Sequence, residues 1–244
     1  MSGRYVYYKG DRDFMIASFG KYVNQKTEMD RLFEELVTPF IKDLPLQILD
    51  AGCGNGNLLH LLGEISPQST FLGVDQTYFL IAEAKKLYGQ EKNICFEVGD
   101  VENIPVQHHK AFDVAVSRAT ISWIPYYESF MKALVESAKK YIFVSSLFYE
   151  GDIDFITQVR EFQKEGGRNG FSEYRNVYSL PRFKEYLFSL GAKNIEVYDF
   201  EIGIDIPKGP IDILGTYTVK MENGKRIQIS GAVLMNWKWI RIDL

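Results

Sequence analysis

Cysteine is almost missing from this 244-residue chain, which has two. Cys53 lies among glycines (AGCGNG) and Cys95 in an apolar run (NICFEV), so each reads as a small buried residue rather than half of a disulfide. Excess positive charge is also lacking. The 28 Lys and Arg against 32 Asp and Glu give a net charge of −4, which argues against nucleic acid or an anionic membrane as partner. No segment approaches the roughly 18 to 20 apolar residues of a membrane span. The N-terminus, MSGRYVYYKGDRDF, has no apolar core of the signal-peptide kind. No repeat or low-complexity tract interrupts the chain. These absences describe a soluble, cytoplasmic protein, and 46% hydrophobic residues are enough to bury the core of one domain.

What is present is an alternation. LQILDA (46–51), TFLGVD (70–75), NICFEV (93–98), FDVAVS (112–117) and YIFVSS (141–146) are short apolar runs rich in Val, Ile and Phe, as strands buried on both faces should be. LLHLLGEI, FLIAEAKKLY and SFMKALVESAKK between them have helical spacing. Strand–helix alternation implies right-handed crossovers and a parallel, doubly wound α/β sheet. Upstream, Met29–Ile41 places Leu32, Phe33, Leu36, Val37 and Phe40 on one helical face. Downstream, Ser179 can cap a helix, LPRFKEYLFSL, that stops at Gly191. NIEVYDFEIGI, GTYTVKM and KRIQISGAVL then follow with no helix between them, and Asn223-Gly224 marks a hairpin. These strands are expected to add an antiparallel edge to the sheet. The expected organisation is a single domain, 1–244. It comprises an N-terminal helical cap (1–43), a ligand-binding core (46–146), an insert (150–180), and a C-terminal helix with strands (181–244).

Three glycines at alternate positions, Gly52, Gly54 and Gly56, interrupt the passage from first strand to first helix. Glycine is unfavourable in regular structure, so this turn must be sharp and its backbone bare. In open α/β sheets ligands bind at the carboxyl ends of the strands, where the strand order reverses. A dinucleotide fingerprint would need glycine at position 57, which is Asn57. The second strand ends in Asp75, whose carboxylate can accept from both hydroxyls of a ribose, and the third runs into Asp100 and Val101. Acids for a sugar and a purine amine, with no basic cluster for phosphates, suit an adenosine ligand better than NAD.

The series LDAGCGNGNLL, GVD, GDVENIPV and FDVAVSRATISWI, over roughly residues 46 to 145, resembles the class I S-adenosylmethionine-dependent methyltransferases. The resemblance implies a Rossmann-like, mainly parallel seven-stranded sheet with S-adenosyl-L-methionine as cofactor. It implies that Asp50, Gly52, Gly54 and Gly56 surround the methionine part and that Asp75, with Gln76 beside it, holds the ribose. Asp100 and Val101 would contact the adenine, and Ser117 and Arg118 would lie beside the cofactor.

In methyl transfer the protein mainly aligns and desolvates the reactants. An alcohol acceptor needs a base, whereas an amine or an already anionic oxygen does not. His108, His109, Glu150 and Asp152 are the candidate bases, and no motif supports any of them. His60 and Asp113 read as packing and as a strand start. No acid pair has metal-ligand spacing, so no metal is expected. The strand-four motif SRATISWIP lacks the Asn/Asp-Pro-Pro-aromatic pattern of amino methyltransferases acting on bases and protein amides.

Trp123, Tyr126 and Tyr149 follow strands four and five, whose ends face the ligand edge. Arg168 and Arg175 lie in the insert, one among glycines and one among aromatics. Arginine favours planar contacts with carboxylate or phosphate, so a small anionic acceptor is expected. Arg160 and Arg182 read equally well as solvated. The C-terminal pattern loosely resembles small bacterial methyltransferases of surface-polysaccharide and secondary pathways. That suggests O-methylation of a sugar-, nucleotide- or phosphate-linked acceptor. A non-catalytic cofactor-binding scaffold partnering another subunit, and a small-molecule N-methyltransferase, are the alternatives. The sequence sets no oligomeric state.

Overall fold

The computed structural model describes residues 12–103, 105–160, 172–209, 216–230 and 233–244. Its central sheet has seven main strands: β1 (Gln47–Ala51), β2 (Thr70–Asp75), β3 (Ile94–Val98), β4 (Phe112–Arg118), β5 (Ala138–Tyr149), β6 (Asn194–Asp199) and β7 (Trp237–Asp243). They are ordered β3-β2-β1-β4-β5-β7-β6, and a short strand, Tyr178–Ser179, pairs with the end of β5. β1 to β5 are parallel, while β7 runs antiparallel to both its neighbours. The order reverses between β1 and β4, which opens a crevice at their carboxyl ends.

Alternation along each strand sends side chains to two buried layers. Ile48, Val114, Val116 and Phe143 meet α2 (Glu28–Ile41), α3 (Asn57–Ile65) and α4 (Tyr78–Tyr88) through Phe33, Val37, Leu59, Leu62 and Ile81. Leu49, Ala115, Ile142 and Val144 meet α5 (Glu128–Ser137) and α6 (Leu180–Ser189) through Phe130, Leu134, Phe183 and Leu187. α1 (Arg12–Gly20) precedes α2. A Thr27–Asp30 capping box starts α2. Ser179 caps α6 by accepting from the Arg182 amide, and Gly191 follows at φ +97°. No helix among the described residues is long and apolar enough to cross a membrane.

The antiparallel finish differs in detail from the expectation. Thr216–Lys220 and Arg226–Ser230 do not join the main sheet; they pair with each other and with Val233–Leu234 in a sheet of their own. Gly224, at φ +81°, closes their turn. The place inside the main sheet is taken by β7, the run that follows the hairpin. Trp239, Ile240 and Ile242 are fully buried there, and Trp239 stacks on Phe33 at 4.2 Å. A strand enclosed on both faces needs such residues, whereas Val219 of the hairpin is exposed.

Candidate functional site

Beyond β1 the chain turns through Gly52, Gly54 and Gly56 at φ +82°, +56° and +81°, a region costly for any residue with a Cβ. The Gly52 amide donates to the Val74 carbonyl at 2.8 Å, holding the turn against β2. The Gly54 amide donates to Asp75 Oδ2 at 3.0 Å and the Thr77 amide to Asp75 Oδ1 at 2.8 Å. Asp75 thus shapes the loop and still has lone pairs for a ligand. A Cβ on Gly52 would stand 2.3 Å from Thr120 Oγ1, and one on Gly54 2.7 Å from the Phe19 ring. The backbone is bare because neighbours from α1 and from the loop after β4 crowd it.

Beneath this loop lies an unbalanced charge. Asp50 is fully buried and neither carboxylate oxygen has a partner. Burial pushes its carboxyl up from the ordinary 3.8 to about 7; Arg118 opposes the shift and Asp75 adds to it. Burial also raises Asp75 and the Cys53 thiol, the latter with help from Asp50. Arg118 pairs with the buried Asp30 of α2, and Ser117 Oγ donates to the Ala51 carbonyl at 2.8 Å.

A family described as a methyltransferase domain matches residues 43–200, from just before β1 through β6. This chain belongs to the class I S-adenosylmethionine-dependent methyltransferases. It is similar to a malonyl-[acyl-carrier protein] O-methyltransferase of Priestia megaterium, 24% identical over 205 residues, covering 84% of this chain and 67% of the relative. A trans-aconitate 2-methyltransferase of Methylobacterium nodulans is 26% identical over 125 residues, 51% of this chain and 45% of that protein. The match to the second relative thus spans less than half of its length. Among solved structures, magnesium protoporphyrin IX methyltransferase from Synechocystis PCC 6803, with bound SAH, shares the fold at a TM-score of 0.54 and 14% identity. That likeness covers 88% of this chain and 80% of the other.

The cofactor of this methyltransferase is S-adenosylmethionine, and the donor set fits it. The orphaned Asp50 carboxylate suits a cation such as the ammonium of the methionine part would supply. Asp75 fits the ribose hydroxyls. Asp100 is exposed past the end of β3, its Oδ1 accepting from the Glu102 amide at 3.0 Å, and the neighbouring Val101 is buried. Gln76 is half-buried next to Asp75. Asp75→Ala should therefore cost cofactor binding about 1.5 to 3 kcal/mol, as for lost hydrogen bonds to a charged acceptor. The same substitution also frees the Gly54 and Thr77 amides, so it should lower the melting temperature as well as the affinity. Calorimetry and thermal unfolding of one mutant sample would check both.

The remaining candidates are scattered. His108 stacks 5.7 Å from Phe112, the first residue of β4, and His109 lies 3.8 Å from Glu136 near the end of α5. Seven β4 residues at about 3.3 Å each put roughly 20 Å between them and the loop end of the sheet. Neither histidine can serve there. Glu150 pairs with Lys238 at 2.9 Å and Asp152 with Arg182 at 3.5 Å, both at the exposed surface. Among the described residues no His, Cys, Asp or Glu cluster could hold a metal ion. His60 packs on the Tyr88 ring and pairs with Glu91 at 2.8 Å.

Among the residues expected to meet the acceptor, the Arg175 guanidinium lies 4.7 Å over the Trp123 ring. Tyr126 is exposed, and Tyr149 meets the edge of Phe155 at 5.6 Å. Arg168 lies outside the described residues. Sequence reasoning missed Asn176. It is fully buried, accepts from the Thr157 amide at 3.0 Å and donates to the Ile124 carbonyl at 2.7 Å. It pins the insert to the loop after β4. A single asparagine among aromatics gives no sequence signal for this. Asp30 was missed too: T-x-x-D announces a helix start and says nothing of Arg118.

Proposed function

We propose that this protein methylates a carboxylate oxygen of a small anionic acceptor. The observation that carries the reading is that His108 and His109 lie away from the cofactor edge, while Glu150 and Asp152, just past the end of β5, are held by Lys238 and Arg182. Asp30 and Arg118 hold each other, Asp75 holds the glycine loop, and Asp50 lies beneath it. The histidines sit at the other edge. An acceptor that is already anionic needs no proton removed, whereas a sugar hydroxyl would.

When bound, S-adenosylmethionine supplies a methyl carbon on a sulfonium, so a C–O bond forms as the C–S bond breaks and a neutral thioether leaves. This chain's own residues hold and orient. Asp50 would take the ammonium and Asp75 the ribose, on a glycine loop against which Thr120 and Phe19 pack. Arg175, its guanidinium over the Trp123 ring, would bring a planar fork to a carboxylate. Both similar proteins described above are named for compounds that carry free carboxylates, malonyl and trans-aconitate, which supports the reading.

The test is release of S-adenosylhomocysteine with a panel of di- and tricarboxylates, malonyl thioesters, sugar phosphates and amines. Turnover confined to carboxylates, giving base-labile methyl esters, is the expected result. Turnover of an amine or neutral alcohol alone would overturn it, and no turnover of any member would favour the scaffold reading. Arg175→Lys should raise the acceptor KM about tenfold and leave cofactor affinity intact, because a point charge does not replace the fork.

A further inference from the structure

We propose that Asp30 is a positioning residue: by holding Arg118 it keeps that guanidinium off Asp50, so that the Asp50 carboxylate stays open to the cationic end of the cofactor. The inference rests on the glycine loop being the cofactor site.

The register puts Asp50 opposite Val116 on adjacent parallel strands, so Arg118, two residues further along β4, lies on the same face of the sheet. A buried carboxylate without partners and an arginine on the next strand would ordinarily pair. Here they do not. Arg118 turns instead to Asp30, which is 3% exposed and has both oxygens committed. Oδ2 accepts from the Thr27 amide at 2.9 Å and the Thr27 hydroxyl at 2.7 Å, and Oδ1 takes Arg118 Nη1. The start of α2 therefore fixes where Arg118 points. The other groups facing Asp50 are Asp75 from β2 and Cys53 from the loop. Neither can supply a cation. With the Asp30 charge removed, Asp50, on the same face of the sheet and within electrostatic reach of Arg118, is left to attract it, and an internal ion pair would close the site.

Three variants separate this role from support of the helix. Asp30→Gln keeps a capping-box partner for Thr27 but loses the ion pair, whereas Asp30→Glu keeps both. Asp30→Gln/Arg118→Gln removes the competitor as well. S-Adenosylhomocysteine binding is measured by calorimetry from pH 5.5 to 8.5. In wild type and Asp30→Glu, affinity should rise with pH until about 7, where Asp50 ionises. In Asp30→Gln it should fall at least about tenfold at pH 8, a loss of about 1.4 kcal/mol. Its rise with pH should move to lower pH, because Arg118 ionises Asp50 early. The double variant should regain most of the affinity and the inflection near neutrality. Wild-type affinity in Asp30→Gln, or an equal loss in the double variant with an unmoved inflection, would overturn the proposal. Failure of wild type to bind at any pH would instead overturn the cofactor assignment.

Discussion

Asp50→Asn should bind S-adenosylhomocysteine about a hundredfold more weakly than wild type and yet be the more stable protein when cofactor-free at pH 8. The binding loss follows from removing the carboxylate proposed to hold the ammonium, and charge-assisted hydrogen bonds contribute about 1.5 to 3 kcal/mol. The stability gain follows from linkage. The folded carboxyl holds its proton to about pH 7, while the unfolded one loses it near 3.8. Between those values the folded state binds more protons, so stability falls as pH rises. The contribution is fully present below about pH 4 and lost above about pH 7. By pH 8 the buried charge costs on the order of 4 kcal/mol relative to acid conditions. An amide cannot ionise, although its unpaired NH2 offsets part of the gain. Denaturant unfolding at pH 5 and pH 8 should show mutant and wild type converging at the lower pH. Equal stability at pH 8 would mean that Asp50 is solvated or paired in solution. The same carboxylate thus weakens the empty protein and strengthens the complex.

Gly52→Ala should unfold the loop end of the sheet and cost about 3 kcal/mol or more of stability. Two causes add. The residue sits at φ +82°, where an L side chain costs roughly 1 to 2 kcal/mol. Its Cβ would also stand 2.3 Å from Oγ1, 2.7 Å from Cγ2 and 3.0 Å from Cβ of Thr120. Rotating the threonine cannot relieve contact with its own Cβ, so the backbone after β4 must move. That backbone carries Ile121 and Ile124, both buried. Thr120→Gly in the same chain should restore part of the loss, leaving the backbone strain. Gly54→Ala should be milder, because the atom it meets is the far edge of the Phe19 ring. A Gly52→Ala protein with wild-type stability and cofactor affinity would show that the turn adopts another conformation in solution.

The fold class, the order of β1 to β5 with their helices, and the glycine turn were readable along the chain because each is written in adjacent residues. Apolar runs at strand length, helical spacing between them and glycines at alternate positions are local patterns, set by φ/ψ preference and burial. Even the cap at Ser179 and the hairpin at Asn223-Gly224 are local. Which strands share an edge is not. The hairpin and β7 both read as strand material, and only packing against Phe33 places Trp239 inside the sheet. The charge arrangement is equally non-local. Asp30, Asp50, Asp75 and Arg118 come from α2 and three strands, and nothing in their spacing says that Asp30 holds Arg118 while Asp50 has no partner. His108 and His109 mark the other side of the same limit. Chain position put them just before β4, and strand direction carried them to the edge away from the glycine loop. Local patterns specify elements because their energies depend on near neighbours; a site at strand ends depends on direction, register and desolvation, which exist only once the sheet has assembled.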